Sequence, residues 1–344
     1  MRDPTSKTMR VGGLLLLSFL AGVPAVQAQA QIQPVAPDGS FSAVWWNIEN
    51  FGATDRLVDG QRVESAMKPQ AEIDAVVAIL GRLHPDLLGV AEVVRTPDDR
   101  YLKLLQTLLS QQGLDYPYYS TAHGEDPRIQ AVLFSRFPIQ SEAPFTDDAF
   151  PVTLVSPSTG VKMESRFRVG RGFVNAEVEI APGVSIQVML AHLKSRRAEP
   201  GVAAEEPGQG GDETVRAHEA QLLRRHLDDF IHDHPGADLL VMGDMNDTPT
   251  SKALRPLVGT PENPSPVRDL PLTDRFGDWW TEYFEPPKTY DRIDYIFATP
   301  SLYRRFLPKE SYLYRPNEGD GPQYDTYSAS DHRPLFARFA APSK

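Results

Sequence analysis

The sequence predicts an α/β protein in which two sheets pack face to face and helices lie outside them. Three observations carry that prediction. Apolar runs of strand length alternate along the chain with segments of helical period. The strands are too many for the available helices to cover one sheet on both faces, which favours two sheets. No Gly-Ser linker divides the chain and no internal repeat is visible, so residues 31–344 read as a single domain.

Residues 1–30 read as a secretory signal peptide. Arg2, Lys7 and Arg10 precede an apolar run from Val11 to Val23, and Ala28-Gln29-Ala30 supplies a small-residue cleavage pattern. The run is too short to span a bilayer as a mature helix. Export to a periplasm or the medium is therefore expected, with no stable membrane insertion after cleavage. In the mature chain Phe41 to Trp46 is a first strand that runs into Asn47-Ile48-Glu49-Asn50-Phe51-Gly52. Ile73, Val76, Val77, Leu80 and Leu83 mark one face of a helix that ends before Pro85. Asp86 to Val93 is a second strand and Tyr101 to Leu109 a second helix. Ile129 to Ser135, Phe173 to Ile180 and Val184 to Leu190 follow as strands, the last leading into Ala191-His192-Leu193. Glu199 to Asp212, rich in Gly, Pro and Glu, reads as a mobile surface loop. Leu223, Leu227, Phe230 and Ile231 mark the next helix. A buried strand starts at Leu239, Thr248 to Pro271 reads as loop, and Arg292 to Phe297 and Pro334 to Phe339 supply the last strands.

The chain has 344 residues, 41% hydrophobic and 24% charged, which suits a soluble protein with a sizeable core. It has no cysteine, so an exported form must be stabilised by its core rather than by disulfides. The formal net charge of −11 becomes more negative once residues 1–30 are removed. Such a balance argues against a general electrostatic grip on nucleic acid or anionic lipid, yet leaves a nuclease open, because only the local field at a site governs catalysis. A monomer is favoured, although nothing in the sequence specifies the oligomeric state.

The most informative stretch is Leu239-Leu240-Val241-Met242-Gly243-Asp244-Met245-Asn246-Asp247-Thr248-Pro249. A short apolar run delivers carboxylate and amide at its carboxyl end, and Gly243 permits close backbone approach. On an extended chain Asp244 and Asn246 point to the same side, where they could orient a water, a metal-bound oxygen or a phosphate. The alternative is an Asx-type turn that uses both groups for their own backbone. Asn47, Glu49, Glu92, His192, Asp294, Asp331 and His332 also sit at or near strand ends, where loops on a rigid scaffold carry function.

Taken together, Trp46-Asn47-Ile48-Glu49-Asn50, Val90-Ala91-Glu92-Val93, Ala191-His192-Leu193, Gly243-Asp244-Met245-Asn246, Arg292-Ile293-Asp294-Tyr295 and Ser330-Asp331-His332-Arg333-Pro334 resemble the endonuclease/exonuclease/phosphatase superfamily. The resemblance implies a four-layered α/β sandwich, two packed mixed β-sheets flanked by helices. It implies a metal-dependent phosphoric ester hydrolase in which Glu92 is the principal metal carboxylate, with Asn47 beside it, Asp331 completing the site and Glu49 a second-rank candidate. Hard oxygen ligands suit Mg²⁺ or Mn²⁺, with Ca²⁺ also possible. Asp244 or His332 would take the proton from the attacking water, Asn246 would hold that water or a phosphoryl oxygen, and Asp294 would orient His332. His192 matches a second histidine near the leaving group. The carboxylate that supports it in deoxyribonucleases has no counterpart near Ile129-Gln130, leaving Glu125 or Asp126 as substitutes.

Substrate selection falls to the variable loops. Lys194, Arg196 and Arg197, with Arg166, Arg168 and Arg171, could bind flanking phosphates, and Trp280 could stack a base or pack its own loop. No long apolar hairpin of a membrane-active kind is visible. The expectation is an exported nuclease acting on DNA or RNA. A phospholipid or small phosphoester hydrolase is the alternative, and a non-catalytic metal-binding scaffold is a more distant one.

Overall fold

Alternation along the first strand sets the layering. In the computed structural model, which describes residues 40–58, 60–155, 159–196, 211–284, 288–340 and 342, strand Ser40–Phe51 turns Phe41, Ala43 and Trp45 to one side and Val44, Trp46 and Ile48 to the other. These side chains are all buried, because a strand with apolar groups on both faces must be covered twice. One face packs on Leu190, Met242 and Ile296 of a second sheet. The other packs on Ile73, Val76 and Leu80 of helix Gln70–Leu83 and on Leu102 and Leu105 of helix Arg100–Ser110. Met189, Val241 and Tyr295 on the far side of the second sheet meet Leu223 and Leu227 of helix Gly211–Asp233. The result is a four-layered sandwich, helices outside two sheets.

Both sheets are mixed, with six strands each. In the first, Ser40–Phe51 lies between Leu335–Ala340, antiparallel to it, and Leu87–Val94, parallel to it. In the second, Val184–His192 runs parallel to Leu239–Asp244, whose other neighbour is the antiparallel strand Asp294–Ala298. Each sheet therefore has a central parallel pair whose carboxyl ends finish together, the usual place for a site in an open α/β sheet. Asn47 pairs with Ala91, one residue before Glu92, while His192 and Asp244 are direct register partners, as are Asp244 and Asp294. A Cβ at Gly243 would stand 2.5 Å from the Ala191 carbonyl oxygen. The missing side chain is what lets these strands come together just before Asp244.

The main strands and helices fall within a few residues of their sequence-based positions, and the differences have physical causes. Hairpins Ala53–Val58/Gln61–Met67, Ala149–Val155/Lys162–Arg168 and Glu282–Phe284/Thr289–Asp291 stand outside the two six-stranded sheets, the last also bridging His332 through Glu282. Outside a sheet, no buried face imposes a hydrophobic period on them. The first hairpin exposes Leu57, Val58, Val63 and Met67, apolar groups scattered among Asp55, Arg56, Arg62 and Glu64 that no apolar run announces. The segment read as loop from Thr248 to Pro271 contains the short helix Arg255–Val258 and strand Arg268–Asp269. Gly211 and Asp212 begin a helix rather than end a loop. The rest of that loop and the whole signal peptide lie outside the described residues. No described helix is long and apolar enough to cross a membrane.

Candidate active site

Asn47 joins the two sheets at the site. Its side-chain Nδ2 donates to Glu92 Oε1 at 3.1 Å and to Asp244 Oδ2 at 3.0 Å, and the residue is 1% exposed. The backbone around it is bent to suit. Glu49, Asn50, Glu92 and Asn246 all have φ between 48° and 64°, a left-handed conformation that costs a non-glycine residue on the order of 1 kcal/mol or more. That geometry aims amides at the carboxylates: Asn50 N donates to Glu92 Oε2 at 3.0 Å and Asn246 N to Asp244 Oδ1 at 2.9 Å. The second bond is the Asx-type turn that the sequence left open. Asn246 therefore does not sit beside Asp244 on an extended strand, and its amide Nδ2 reaches the Leu193 carbonyl at 2.9 Å instead. Asp244 divides its oxygens, Oδ1 holding its own loop and Oδ2 facing Asn47 and two histidines.

His332 Nδ1 lies 2.7 Å from Asp294 Oδ2. The other Asp294 oxygen accepts from Trp45 Nε1 at 2.8 Å, and the Asp294 backbone amide donates to Thr281 Oγ1 at 3.0 Å. The His332 amide donates to Ser330 Oγ, which itself donates to the Asn47 carbonyl at 2.7 Å. Burial opposes a charge on His332, but the Asp294 carboxylate, its hydrogen bond, and then Asp331 and Asp244 hold the imidazole well above its ordinary range. It is a cation near neutral pH. Its Nε2 lies 3.9 Å from Asp244 Oδ2 and 3.8 Å from Asp331 Oδ1. His192 is the opposite case. Burial, then Arg171 and His332, push it well below the ordinary range, so it is neutral, with Nε2 3.6 Å from Asp244 Oδ2. Its Nδ1 is buried with no hydrogen-bond partner among the described residues. Neither Glu125 nor Asp126 substitutes for the missing carboxylate, and Asp126 pairs with Arg128 and Arg171 instead.

Burial and then the Asp294 charge raise Asp244 to about 8, against the opposing pull of His332 and Asn47. An unfolded aspartate ionises near 3.8, so the folded form holds an extra proton between those values and loses stability as pH rises through that window. In EDTA, thermal unfolding of the protein is expected to show this decline from about pH 4 to about pH 8. Asp244→Asn should make it shallower, leaving the part contributed by Glu49, which is raised to about 7. A variant with the same pH slope as the parent would remove Asp244 as its source.

The carboxylates of Glu49, Glu92 and Asp331 crowd one side of the site. Glu49 is raised to about 7 by burial first and then by Asp331, with Glu92 and Glu72 adding to the shift and Lys68 opposing it. Lys68 Nζ lies 4.0 Å from Glu49 Oε2, and the Asn47 amide oxygen accepts from the Glu49 amide at 3.1 Å. Among the described residues, two groups, Asp244-Asp294-His332 and Glu282-Asp331-His332, bring potential ligand atoms within 4.8 Å of one another. In the first, His332 Nδ1 is already bonded to Asp294, and in the second Glu282 faces Arg196 at 2.7 Å.

Several residues here carried no signal in the sequence. Lys68 is 1% exposed, donates to the Glu49 carbonyl at 2.9 Å and pairs with Glu72 at 3.0 Å. A lone Lys-Pro before a helix does not announce that; only the i,i+4 spacing to Glu72 hints at it. Trp45, Thr281 and Glu282 likewise become visible only through their contacts. The basic residues need correction. Arg171 is not a surface phosphate ligand, because it is buried, donates to the Leu193 carbonyl at 3.1 Å and faces Asp126. Arg196 is held between Glu282 at 2.7 Å and Asp291 at 2.9 Å. The Lys194 backbone amide donates to buried Glu219, and Arg197 lies outside the described residues. Trp280 has the Arg333 guanidinium 4.2 Å from its ring centroid.

A profile of the Endonuclease/Exonuclease/phosphatase family matches residues 44–332, from the first strand to His332. The chain belongs to this family. Among solved structures, an endonuclease/exonuclease/phosphatase from Bacteroides vulgatus is similar over 88% of this chain and 99% of its own, with 17% identity and a TM-score of 0.54. Truncated TDP2 from Caenorhabditis elegans matches over 88% and 98%, with 16% identity and a TM-score of 0.51. A mannosyl-6-phosphatase from Bacteroides thetaiotaomicron matches over 86% and 98%, with 14% identity and a TM-score of 0.50. At such identities the likeness is one of fold. No curated protein matches the chain. For the endonuclease/exonuclease/phosphatase family the activity is phosphoric ester hydrolysis, and the acidic and histidine groups assembled here suit its divalent-metal dependence.

Proposed function

We propose that this family member is an exported, Mg²⁺-dependent phosphodiesterase that hydrolyses DNA or RNA. The observation that carries the hydrolytic reading is the approach of Asp244 Oδ2 to His332 Nε2 across 3.9 Å, with Asp294 holding the far side of the imidazole. The ionised form of Asp244, its pKa raised to about 8, has the basicity to take a proton from water. The His332 imidazolium, fixed by Asp294, faces the negative charge that gathers on a phosphoryl group in the transition state. Asn246, just beyond Asp244, orients the water, and the neutral His192 on the adjacent strand faces the departing oxygen. Glu92, Asp331, Glu49 and Asn47 would hold the cation, which supplies Lewis-acid polarisation of the phosphoryl oxygens. Export rests on the sequence pattern of residues 1–30.

A second reading, hydrolysis of a small phosphate ester, draws on the similarity in fold to the mannosyl-6-phosphatase. The test is hydrolysis of plasmid DNA, single-stranded RNA, a phospholipid and a sugar phosphate by the mature protein in Mg²⁺ or Mn²⁺, with EDTA as control. Metal-dependent cleavage of nucleic acid is expected. Turnover of the lipid or sugar phosphate alone would keep the chemistry and replace the substrate.

A further inference from the structure

Beside Asp331, four aromatic rings form a closed circuit. Trp280 and Tyr290 have centroids 4.8 Å apart, Tyr290 and Tyr283 4.9 Å, Tyr283 and Tyr327 5.5 Å, and Tyr327 and Trp280 6.1 Å. Their place is fixed relative to the histidine. Tyr283 N donates to the Asp331 carbonyl at 2.9 Å, Arg333 N to the Thr281 carbonyl at 2.8 Å, and Glu282 bridges His332 between those bonds. Arg333 backs the Trp280 ring from a buried position, bonded to Asp274 at 2.8 Å. Yet Tyr290 is 53% exposed and Tyr327 51%. A loop that merely packed its aromatics would cover them, whereas a rigid exposed ring cluster at the rim of a polar site is built to receive something flat and apolar.

The charges nearby point the same way. The arginines bonded to or next to site residues each face a carboxylate: Arg171 faces Asp126, Arg196 Glu282, Arg216 Asp247, Arg292 Asp269 and Arg333 Asp274. In a chain of net charge −11, that leaves little positive field to track a run of phosphates. Resting on the nuclease reading above, we infer that the enzyme grips its substrate by stacking a nucleobase on Trp280, Tyr290 and Tyr327, and so acts on short single strands rather than on long duplex. Unstacked bases offer their faces to a protein only outside a duplex.

The test measures KM and kcat for a trinucleotide, a 20-mer and a trinucleotide-length backbone without bases, at several salt concentrations. Each phosphate neutralised adds about −0.7 to the slope of log affinity against log salt for a single strand. The expected slope is no steeper than about −1.5, equivalent to roughly two phosphates, with the trinucleotide about as good per bond as the 20-mer. Tyr290→Ala and Tyr327→Ala should each raise KM for the trinucleotide roughly tenfold with little change in kcat. Tyr290→Phe should restore it, and the baseless backbone should be indifferent to all three. A steep salt slope with unaffected alanine variants would overturn the inference while leaving the nuclease intact. Equal losses on the baseless backbone would make the cluster structural and also overturn it. Failure to cleave any oligonucleotide, alongside turnover of another ester, would instead refute the nuclease reading on which it rests.

Discussion

Glu92→Ala is expected to abolish metal-dependent hydrolysis and leave the protein folded. Glu92 stands at the end of a central strand with φ 64°, partly exposed, and both its oxygens accept bonds, Oε1 from Asn47 and Oε2 from the Asn50 amide. In the proposed reading its carboxylate is a cation ligand, and in the fold it ties Asn47 and the Asn50 amide to the neighbouring strand. It belongs to none of the three buried apolar clusters. Losing a ligand should weaken cation binding beyond the roughly 10–100-fold that a change outside the ligand shell costs. Glu92→Gln, which keeps the size and removes the charge, should lose most of the same affinity. Calorimetric titration with Mn²⁺, with circular dichroism as the check on folding, measures this directly. Wild-type metal affinity and turnover in either variant would move the cation elsewhere in the site.

His332→Ala should lower kcat by about 100- to 1,000-fold, the usual cost of removing a group that stabilises transition-state charge, with metal affinity nearly unchanged. The reason lies in the bond between His332 and Asp294 at 2.7 Å, which keeps the imidazole charged and aimed. Alanine would also leave the Asp294 carboxylate buried with one partner fewer, a destabilising change. Asp294→Asn is therefore the companion variant, because it keeps the shape and removes only the charge that favours the imidazolium. It should lower kcat as well and move the alkaline side of the pH profile to lower pH, since the histidine would then lose its proton nearer its ordinary range. Full activity in Asp294→Asn would show that the charge on His332 is not used.

The sequence by itself determined the framework and the identities of the residues that meet. Strands such as Leu239–Asp244 are readable because a side chain buried on each face leaves an unbroken apolar run, and helix Gln70–Leu83 because one buried face leaves a 3.6-residue period. The polar groups at strand ends stood out against those apolar runs, which is why Asn47, Glu92, Asp244, Asp294 and His332 could be named before any contact was known. Tertiary structure alone decided the rest. Lys68 and Glu282 join the site through contacts with residues far along the chain, which no local pattern encodes. Arg171 read as a free cation in the sequence and is buried against Asp126, because an ion pair depends on proximity in space. The hairpin Ala53–Val58/Gln61–Met67 was invisible because a strand that packs against no sheet has no buried face to impose a period. Most of all, only the folded chain fixes opposite charge states for its two site histidines: His332 shares its proton with Asp294, whereas His192 is buried beside Arg171 with no carboxylate on its Nδ1.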